Sequence, residues 1–174
     1  MSKFYVKRKS VVLAGTALLG AVVAVLDWVL RVKIPFPIPP LTYLRFDFMG
    51  IPMLLAYFLF GLPAGLVTSL VAFLSISYRD PFKGFMKFLA EFTTIVGVYL
   101  VLRARKPSGD KSKLLAMISG IIVRVALMDI AVVLLFPIVG YYPTHMAVII
   151  ILPILSLFNI IQGFISVFGG FLLY

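Results

Sequence analysis

Long apolar runs, separated by short polar or proline-rich stretches, make up most of the chain. Six of these runs predict helices, at about residues 9–30, 46–60, 63–77, 82–102, 114–137 and 144–174. A helix of about 20 apolar residues crosses the roughly 30 Å hydrocarbon core of a bilayer. The pattern therefore predicts an all-α protein, an integral membrane bundle of six transmembrane helices that forms a single domain over residues 1–174.

Proline and glycine mark the ends and the weak points of these helices. The four prolines between Pro35 and Pro40 remove backbone donors and favour an extended loop over residues 31–45. The second and third helices, divided at Gly61, are short for a bilayer, which predicts tilt or kinks. Pro153 marks the point where a break in the last helix would fall. The first apolar run predicts a retained span rather than a signal peptide, because everything downstream is equally apolar.

Composition narrows the class of protein. Of the 174 residues, 63% are hydrophobic and 13% are charged, and that charged fraction is roughly half that of an average soluble domain. An ordinary soluble globule is excluded, because one small core could not bury so much apolar surface. The absence of cysteine excludes disulfides, thiolate metal sites and cysteine nucleophiles. The sequence has no P-loop, H-E-x-x-H or G-x-S-x-G motif, and we expect no metal site and no nucleic-acid partner.

The distribution of positive charge predicts the orientation in the membrane. The 16 Lys and Arg residues outnumber the 6 Asp and Glu residues and give a net charge of +10. Positive residues accumulate in cytoplasmic loops. With the N-terminus in the cytoplasm, six cations face outward, Arg124 lies within a span, and nine face inward: Lys3, Lys7, Arg8, Lys9, Arg103, Arg105, Lys106, Lys111 and Lys113. We therefore expect both termini on the cytoplasmic side.

Ionisable side chains within membrane spans are costly and usually face a cavity or a partner. Those in or near the predicted spans are Asp27, Asp47, Lys83, Lys87, Glu91, Arg124 and Asp129, with Asn159 and Gln162 as uncharged companions. In the expected orientation most of them lie in the outer half of the bundle. They predict a polar pocket open to the exterior, better suited to a flat small molecule of mixed polarity than to an ion.

The charged residues of the fourth and fifth helices also have a structural interpretation. Lys83, Lys87 and Glu91 are spaced four residues apart, so they could form one helix face with a Lys–Glu pair. Arg124 and Asp129 lie about 140° apart around a helix and are not expected to pair with each other. Arg124 could instead pair with an acid on another helix.

Other polar residues have structural alternatives as well. Asp27 and Arg31 could form a pair four residues apart near an interface. Asn159 and Gln162 share a helix face and could bond a neighbouring helix. His145, the single histidine, is expected to be an exposed or capping residue rather than a catalyst.

Four segments resemble the substrate-binding S-components of energy-coupling factor (ECF) vitamin transporters. Residues 43–52 (YLRFDFMGIP) and 60–66 (FGLPAGL) are similar to the riboflavin type, whose motifs are Tyr-Leu-Lys-(apolar)-Asp-Phe-x-x-(apolar)-Pro and Phe/Tyr-Gly-Pro-x-Ala-Gly. Residues 158–163 (FNIIQG) resemble the last-helix motif, and residues 86–91 (MKFLAE) match more weakly. The chain departs from the pattern at Gln162, where the family has lysine, and at Ala131, where the family usually has asparagine.

The resemblance implies high-affinity capture of riboflavin, or of a related flavin, from outside the cell. Transport would require a membrane coupling subunit and two ATPase subunits, with the chain itself in the cell membrane. Asn159 is then the expected principal flavin contact, and the loop over residues 31–45 is the expected lid. The other expected ligand contacts are Asp47, Lys83, Lys87, Glu91, Asp129, Gln162, Tyr43 and Phe46.

Small residues form a stripe on the first helix. Ala17 and Ala21 are four residues apart, and so are Gly20 and Ala24. Such spacing allows another helix to approach closely, either within the bundle or in a partner protein. The resemblance implies the second use, because family members dock the coupling subunit on an alanine-x-x-x-alanine stripe of this helix.

Three hypotheses follow, in order of preference. The first is a riboflavin S-component, monomeric when isolated, with an S-component for another vitamin or small metabolite as its nearest alternative. The second is a small integral membrane enzyme that uses Glu91, Asp129 or Asp47 as acid or base. The third is a structural or channel-forming oligomer.

Overall fold

The computed structural model describes residues 8–30, 33–39, 41, 44–104 and 110–174, apart from the side chains at positions 30 and 110. Within these residues, helices form the fold except for one short hairpin. The elements are α1 (Lys9–Val25), which continues as a π-helical turn (Leu26–Leu30), β1 (Lys33–Pro35), β2 (Arg45–Asp47), α2 (Gly50–Phe60), α3 (Leu62–Ser77), α4 (Pro81–Ala104), α5 (Asp110–Val139) and α6 (His145–Leu173).

Four of the described helices are long and apolar enough to cross a bilayer. They correspond to residues 9–29, 81–104, 111–139 and 145–173. The 11-residue α2 and the 16-residue α3 are shorter apolar helices, with lengths of about 16 and 24 Å at 1.5 Å per residue. The chain is therefore an all-α, multi-pass membrane protein.

The predicted start of the second helix at residue 46 is wrong. Phe46 and Asp47 belong to β2, which pairs antiparallel with β1 in the register Lys33 with Asp47, Ile34 with Phe46 and Pro35 with Arg45. The helix begins only at Gly50, and the Met49 N–H donates to Asp47 Oδ1 over 3.0 Å. The predicted extended loop therefore contains one strand of a hairpin, and proline is tolerated there because β1 is an edge strand.

The turn between α2 and α3 depends on glycine. Gly61 has φ of 94°, a left-handed value that side chains disfavour, and its N–H donates to the Tyr57 carbonyl over 2.8 Å. The following helix has proline in its first turn, where no backbone donor is lost. Two short helices are thus joined with almost no loop.

The helices pack as a continuous bundle. α4 contacts α3 and α5, α6 contacts α5 and α2, and α1 lies against α2 and α3. Helices α4 and α5 cross closely at glycines: a Cβ atom at Gly97 would lie 2.8 Å from the Ser119 carbonyl oxygen and 2.9 Å from Gly120 Cα. Small residues permit this crossing, as in other membrane bundles.

Two separate groups of buried apolar residues hold the bundle together. The larger lies among the helices and comprises Val23, Met49, Met53, Leu54, Tyr57, Phe58, Ala72, Ile95, Val98, Ala116 and Val167. The second joins the chain around the hairpin to α5 and α6, through Phe36, Leu41, Val132, Phe136, Val148, Ile151 and Leu155. The hairpin is thereby fixed over one end of the α5–α6 pair.

The last helix is not broken at Pro153. α6 runs without interruption from His145 to Leu173, and Pro153 is exposed on its surface. Proline removes one backbone donor, but a helix of 29 residues retains its other hydrogen bonds and its packing on both sides of that position. Thr144 caps the helix by accepting the Ala147 N–H over 3.2 Å. His145 is exposed, with Nδ1 2.9 Å from the Val133 carbonyl oxygen.

Candidate functional site

A cavity of about 540 Å³ lies between the hairpin, the α3–α4 turn and helices α4, α5 and α6. Small-molecule sites typically measure roughly 300–1,000 Å³. Its exposed lining residues mark the mouth: Arg45, Arg79, Lys83 and Tyr141, with the half-buried Lys33 beside them. Its least accessible polar lining residues mark the floor: Lys87, Arg124, Asn159 and Gln162. Between mouth and floor the walls are largely apolar, formed by Leu44, Ile76, Phe82, Met86, Met128, Val132, Phe136, Leu155 and Phe158.

The floor rests on four charged groups, called here the floor network: Asp47, Lys87, Glu91 and Arg124. Lys87 Nζ lies 2.8 Å from Asp47 Oδ1 and 2.9 Å from Glu91 Oε1. Arg124 Nη1 lies 3.1 Å from the same Glu91 oxygen. Two cations and two carboxylates therefore alternate along a chain of contacts, which removes the net charge from a buried site.

The contacts of Glu91 test the structural interpretation of the charged residues on α4 and α5. The predicted Lys–Glu pair on α4 is present between Lys87 and Glu91, and the predicted pairing of Arg124 with an acid on another helix is present as well. Lys83 does not join them, because it forms an ion pair with Asp80 over 2.8 Å. Lys87 and Arg124 also line the cavity, so the predicted ligand contact of Lys87 stays a prediction beside its ion pairs.

A glycine makes room for the network at the start of α2. A Cβ atom at Gly50 would lie 2.0 Å from Ser166 Oγ and 2.8 Å from Glu91 Oε2. Ser166 Oγ donates to the other carboxylate oxygen, Oε1, over 3.4 Å. Gly50, which belongs to the first sequence motif, thus allows the backbone of α2 to lie directly against the buried carboxylate.

Gln162 lines the cavity, and its side-chain amide is bonded to the Asp47 backbone. Its Oε1 accepts the Asp47 N–H over 3.1 Å, and its Nε2 donates to the Asp47 carbonyl over 2.8 Å. Both ends of the amide are therefore engaged with a residue 115 positions away. Together with Lys87, which holds the Asp47 side chain, Gln162 fixes the end of β2 to α6 and α4.

Asn159 and Arg124 lie side by side at the floor, and both are buried. Asn159 Oδ1 accepts from Arg124 Nε over 3.4 Å, and Asn159 Nδ2 donates to the Leu155 carbonyl over 3.2 Å. A Cβ atom at Gly163 would lie 3.1 Å from Arg124 Cδ, so glycine lets the arginine cross α6 closely. Sequence reasoning placed Arg124 outside the ligand contacts; its position as a lone cation in the middle of a span was the available signal.

A second polar group, called here the mouth cluster, comprises Asp27, Lys33, Ser75 and Arg79. The buried Asp27 carboxylate accepts from Lys33 Nζ over 2.8 Å, from Ser75 Oγ over 2.9 Å, and from Arg79. The predicted partner Arg31 lies outside the described residues. The cluster connects the π-helical turn to β1 and to the end of α3.

Asp80 lies at the edge of the mouth, outside the four candidate spans. Its carboxylate forms a hydrogen bond with the Lys83 side chain and accepts the Lys83 backbone N–H over 3.0 Å. These bonds to the charged form hold the pKa of Asp80 below its ordinary value of 3.8.

Aromatic rings support the cavity wall on the hairpin side. Phe46 stacks on Phe158, with ring centroids 4.9 Å apart and an interplanar angle of 19°. Phe36 meets both rings edge-on, at 5.6 Å and 5.5 Å. Phe158 lines the cavity. The predicted contact Phe46 is not among the described lining residues and supports Phe158 instead.

Two further predicted ligand contacts, Asp129 and Tyr43, are not among the described residues that the structure places at the cavity. Asp129 is not among the described residues that line the cavity. It lies between α5 and α6, where Oδ2 accepts from Ser156 Oγ over 2.6 Å and Oδ1 is buried with no partner in the described part of the chain. Its angular offset from Arg124 turns it away from the floor. Tyr43 lies outside the described residues.

The small residues of α1 do not share one surface. Ala17 and Ala21 are exposed, whereas Gly20 is buried and Ala24 is half-buried. A Cβ atom at Gly20 would lie 3.4 Å from Val71 Cγ2, so this position packs against α3. The expectation that all four form a partner surface is wrong for Gly20, because the helix turns that residue into the bundle.

The fold and the cavity define a class: a polytopic helical membrane protein with a binding cavity for a small molecule of mixed polarity. Comparison with known proteins specifies it further. The family model for "ECF transporter, substrate-specific component" matches residues 11–174, and the chain belongs to this family. A substrate-specific component is a transport subunit, in agreement with the first hypothesis rather than with a membrane enzyme.

One curated relative and one solved structure agree with the family assignment. The chain is 32% identical over 168 residues to the riboflavin transporter RibU of Staphylococcus aureus (strain TCH60), covering 91% of this chain and 85% of that protein. A structure described as the S component of a bacterial ECF transporter matches with a TM-score of 0.81 and 31% identity. That match covers 96% of this chain and 95% of the other.

Proposed function

We propose that the protein captures riboflavin outside the cell and delivers it to an ECF importer in the cell membrane. The observation that carries this proposal is the 32% identity to a riboflavin transporter over 91% of the chain. The cavity is consistent with such a ligand. Its apolar walls suit a flat ring system, and its polar floor and mouth suit the two polar ends of a flavin.

We assign the residues of the site to two roles. Asn159, Lys87 and Phe158 contact the ligand, with Lys83 at the mouth, because their side chains line the cavity. Asp47 and Gln162 also line the cavity, but together with Glu91 they support the binding surface through their hydrogen bonds to one another and to Lys87. Their contribution is to hold the floor and the hairpin in the binding geometry.

Orientation and partners complete the proposal. All six helices cross or enter the membrane with both termini in the cytoplasm, in agreement with the positive residues at the N-terminus and after α4. The cavity then opens outward. A membrane coupling subunit docks on the exposed Ala17–Ala21 face of α1, and two ATPase subunits supply the energy.

Ligand binding provides the direct test. We expect the purified protein to quench riboflavin fluorescence on titration and to gain thermal stability with added riboflavin. Phe158→Ala removes an aromatic wall and should weaken binding about tenfold. Phe164→Ala is the matched control, because Phe164 lies on the same helix but is exposed away from the cavity. A protein that neither quenches the fluorescence nor is stabilised would contradict the riboflavin assignment.

A second vitamin is the alternative that a specific observation supports. Gln162 replaces the lysine expected on the last helix, and its amide is engaged with the Asp47 backbone. Ala131 replaces an expected asparagine on α5. Mass spectrometry of small molecules released from the purified protein distinguishes the two: a released flavin supports the proposal, and a different vitamin replaces it.

A further inference from the structure

Arg124 presents hydrogen-bond donors to the cavity that the protein itself does not use. Its contacts with described residues engage Nε, which bonds Asn159, and Nη1, which bonds Glu91 and Thr94 over 3.1 and 3.2 Å. In the described part of the chain, the fully buried polar atoms without a partner are Ser77 Oγ, Glu91 Oε2 and Asp129 Oδ1. Nη2 is not one of them. Arg124 lines the cavity, so Nη2, which makes no bond among the described contacts of Arg124, is the guanidinium nitrogen left for a ligand there.

The remaining polar atoms of the floor also favour donation. Asn159 Nδ2 uses one N–H on the Leu155 carbonyl and has a second, since an amide nitrogen carries two. Lys87 Nζ bonds Asp47 and Glu91 and has a third N–H. Of the carboxylate oxygens in the floor network, Asp47 Oδ1 and Glu91 Oε1 already accept from these cations and Glu91 Oε2 is fully buried, which leaves Asp47 Oδ2 as the one acceptor beside these donors. The floor is therefore rich in donors and complements a ligand edge rich in acceptors.

The direction of the arginine donors is fixed by the protein. A guanidinium is planar, so its N–H groups point in directions set by the plane of the group. Nη1 is held by Glu91 and Thr94 on α4, and Nε is held by Asn159 on α6. With one edge of the plane fixed on two helices, Nη2 has a defined direction. A lysine here would keep the charge but would lose the fixed direction of these donors.

We propose that Arg124 is a specificity-determining residue whose Nη2 N–H groups bind the paired carbonyl and ring-nitrogen acceptors of a planar heterocycle. The inference rests on the proposed function and extends it: in riboflavin this edge is the dioxopyrimidine end of the ring system. The ring then lies between the apolar walls, and the ribityl chain extends towards the polar mouth at Lys33, Arg79 and Lys83.

The test compares two ligands and two variants. Riboflavin and lumiflavin share the ring edge, but lumiflavin lacks the ribityl chain. Arg124→Lys should weaken both about tenfold or more, and by the same factor, because charge-assisted bonds to the shared edge are lost. The absorption bands of the bound flavin should also shift, since they respond to hydrogen bonds at the ring carbonyls. Arg103→Lys is the control, as Arg103 is exposed, bonds Tyr99 and does not line the cavity.

A second pair of variants covers the case in which Arg124→Lys does not fold. Thr94→Val removes an acceptor from Arg124 Nη1 and should weaken both ligands by a smaller, equal factor. Thr93→Val is matched to it: both threonines are buried and bond the Ala90 carbonyl, but the described contacts of Arg124 include Thr94 and not Thr93.

The outcomes separate the inference from the proposed function. Unchanged affinities in Arg124→Lys, or in Thr94→Val if the first variant is unfolded, overturn the inference and leave riboflavin capture intact. Weakening of riboflavin alone also overturns it, because the contact would then be to the ribityl chain. If the wild-type protein binds neither flavin, the proposed function fails and the inference falls with it.

Discussion

The floor network and the mouth cluster use the same arrangement in different surroundings. Each has one fully buried carboxylate, Glu91 or Asp27, that binds two cations from other parts of the chain or the same helix. At the floor the cations are buried too, with Lys87 11% and Arg124 2% exposed. At the mouth Lys33 is 23% and Arg79 37% exposed.

This difference in exposure assigns different roles to the two groups. Breaking a buried ion pair leaves a charge with no compensation and costs about 3–5 kcal/mol, whereas exposed pairs contribute about 0–1 kcal/mol because water replaces the lost partner. The floor is therefore a rigid element that fixes the binding geometry. The mouth cluster is less tightly fixed, because its cations are partly exposed to water, although separating both of them from the fully buried Asp27 carboxylate would still leave a buried charge without compensation.

Glu91→Gln should give the largest effect. The substitution leaves Lys87 and Arg124 buried with Asp47 as the only carboxylate of the floor network. We therefore expect the free energy of unfolding to fall by about 3–5 kcal/mol. The midpoint of thermal unfolding of the purified protein should fall on the order of 10 °C. Asp80→Asn is the control, since it removes the carboxylate of an exposed pair. Equal shifts in the two variants would contradict the proposed rigidity of the floor.

Asp27→Asn should give a smaller change in stability and a clear change in kinetics. Lys33 and Arg79 can turn to water, so we expect the free energy of unfolding to fall by about 1–2 kcal/mol. The loss of the Lys33 tie frees β1, and riboflavin should dissociate several-fold faster in a stopped-flow release measurement. Ser75→Ala removes a neutral donor to Asp27 without touching the hairpin and should leave the release rate unchanged. An unaltered rate in Asp27→Asn would show that the mouth cluster does not hold the hairpin.

The smallest effect is expected from the pH dependence of the Asp80–Lys83 pair. The pKa of Asp80 is lower in the folded protein than its ordinary value of 3.8, so the unfolded state takes up a proton first as the pH falls. The pair therefore stabilises the fold above pH 3.8, and this contribution is lost as the pH falls through the folded value. Thermal unfolding of wild type and Asp80→Asn should differ near neutral pH and converge well below pH 3.8. A difference between the two midpoints that increases as the pH falls would contradict a stabilising role of the ionised Asp80 side chain.

The helices were predictable from the sequence because apolar runs directly report burial in lipid or protein. Most helix ends lie within a few residues of the predicted positions, and Gly61 separates α2 from α3 as expected. The hairpin was missed because Phe46 continues the apolar run into α2, and pairing with Ile34 depends on a contact across the loop. Pro153 failed as a signal because neighbouring helical bonds and packing outweigh a single missing donor.

The site was predictable in its composition but not in the roles of its residues. Ionisable side chains are costly within a membrane span, and their presence indicated the cavity floor. The four-residue spacing of Lys87 and Glu91 indicated their contact. The engagement of Gln162 with the Asp47 backbone could not be foreseen, because it joins residues 115 positions apart. The position of Asp129 between α5 and α6 could not be foreseen for a related reason. The sequence gives the angle between two residues on a helix, but it does not show which of them faces the cavity.

The π-helical turn at Leu26–Leu30 sets the direction in which the chain leaves α1. Adding or removing one residue there would rotate everything downstream by about 100° relative to α1, while the membrane-embedded part of the helix kept its place. Asp27 would then leave its pocket, and the hairpin would be aimed elsewhere. This turn therefore sets the direction of the entrance to the cavity independently of the face of α1 that carries Ala17 and Ala21.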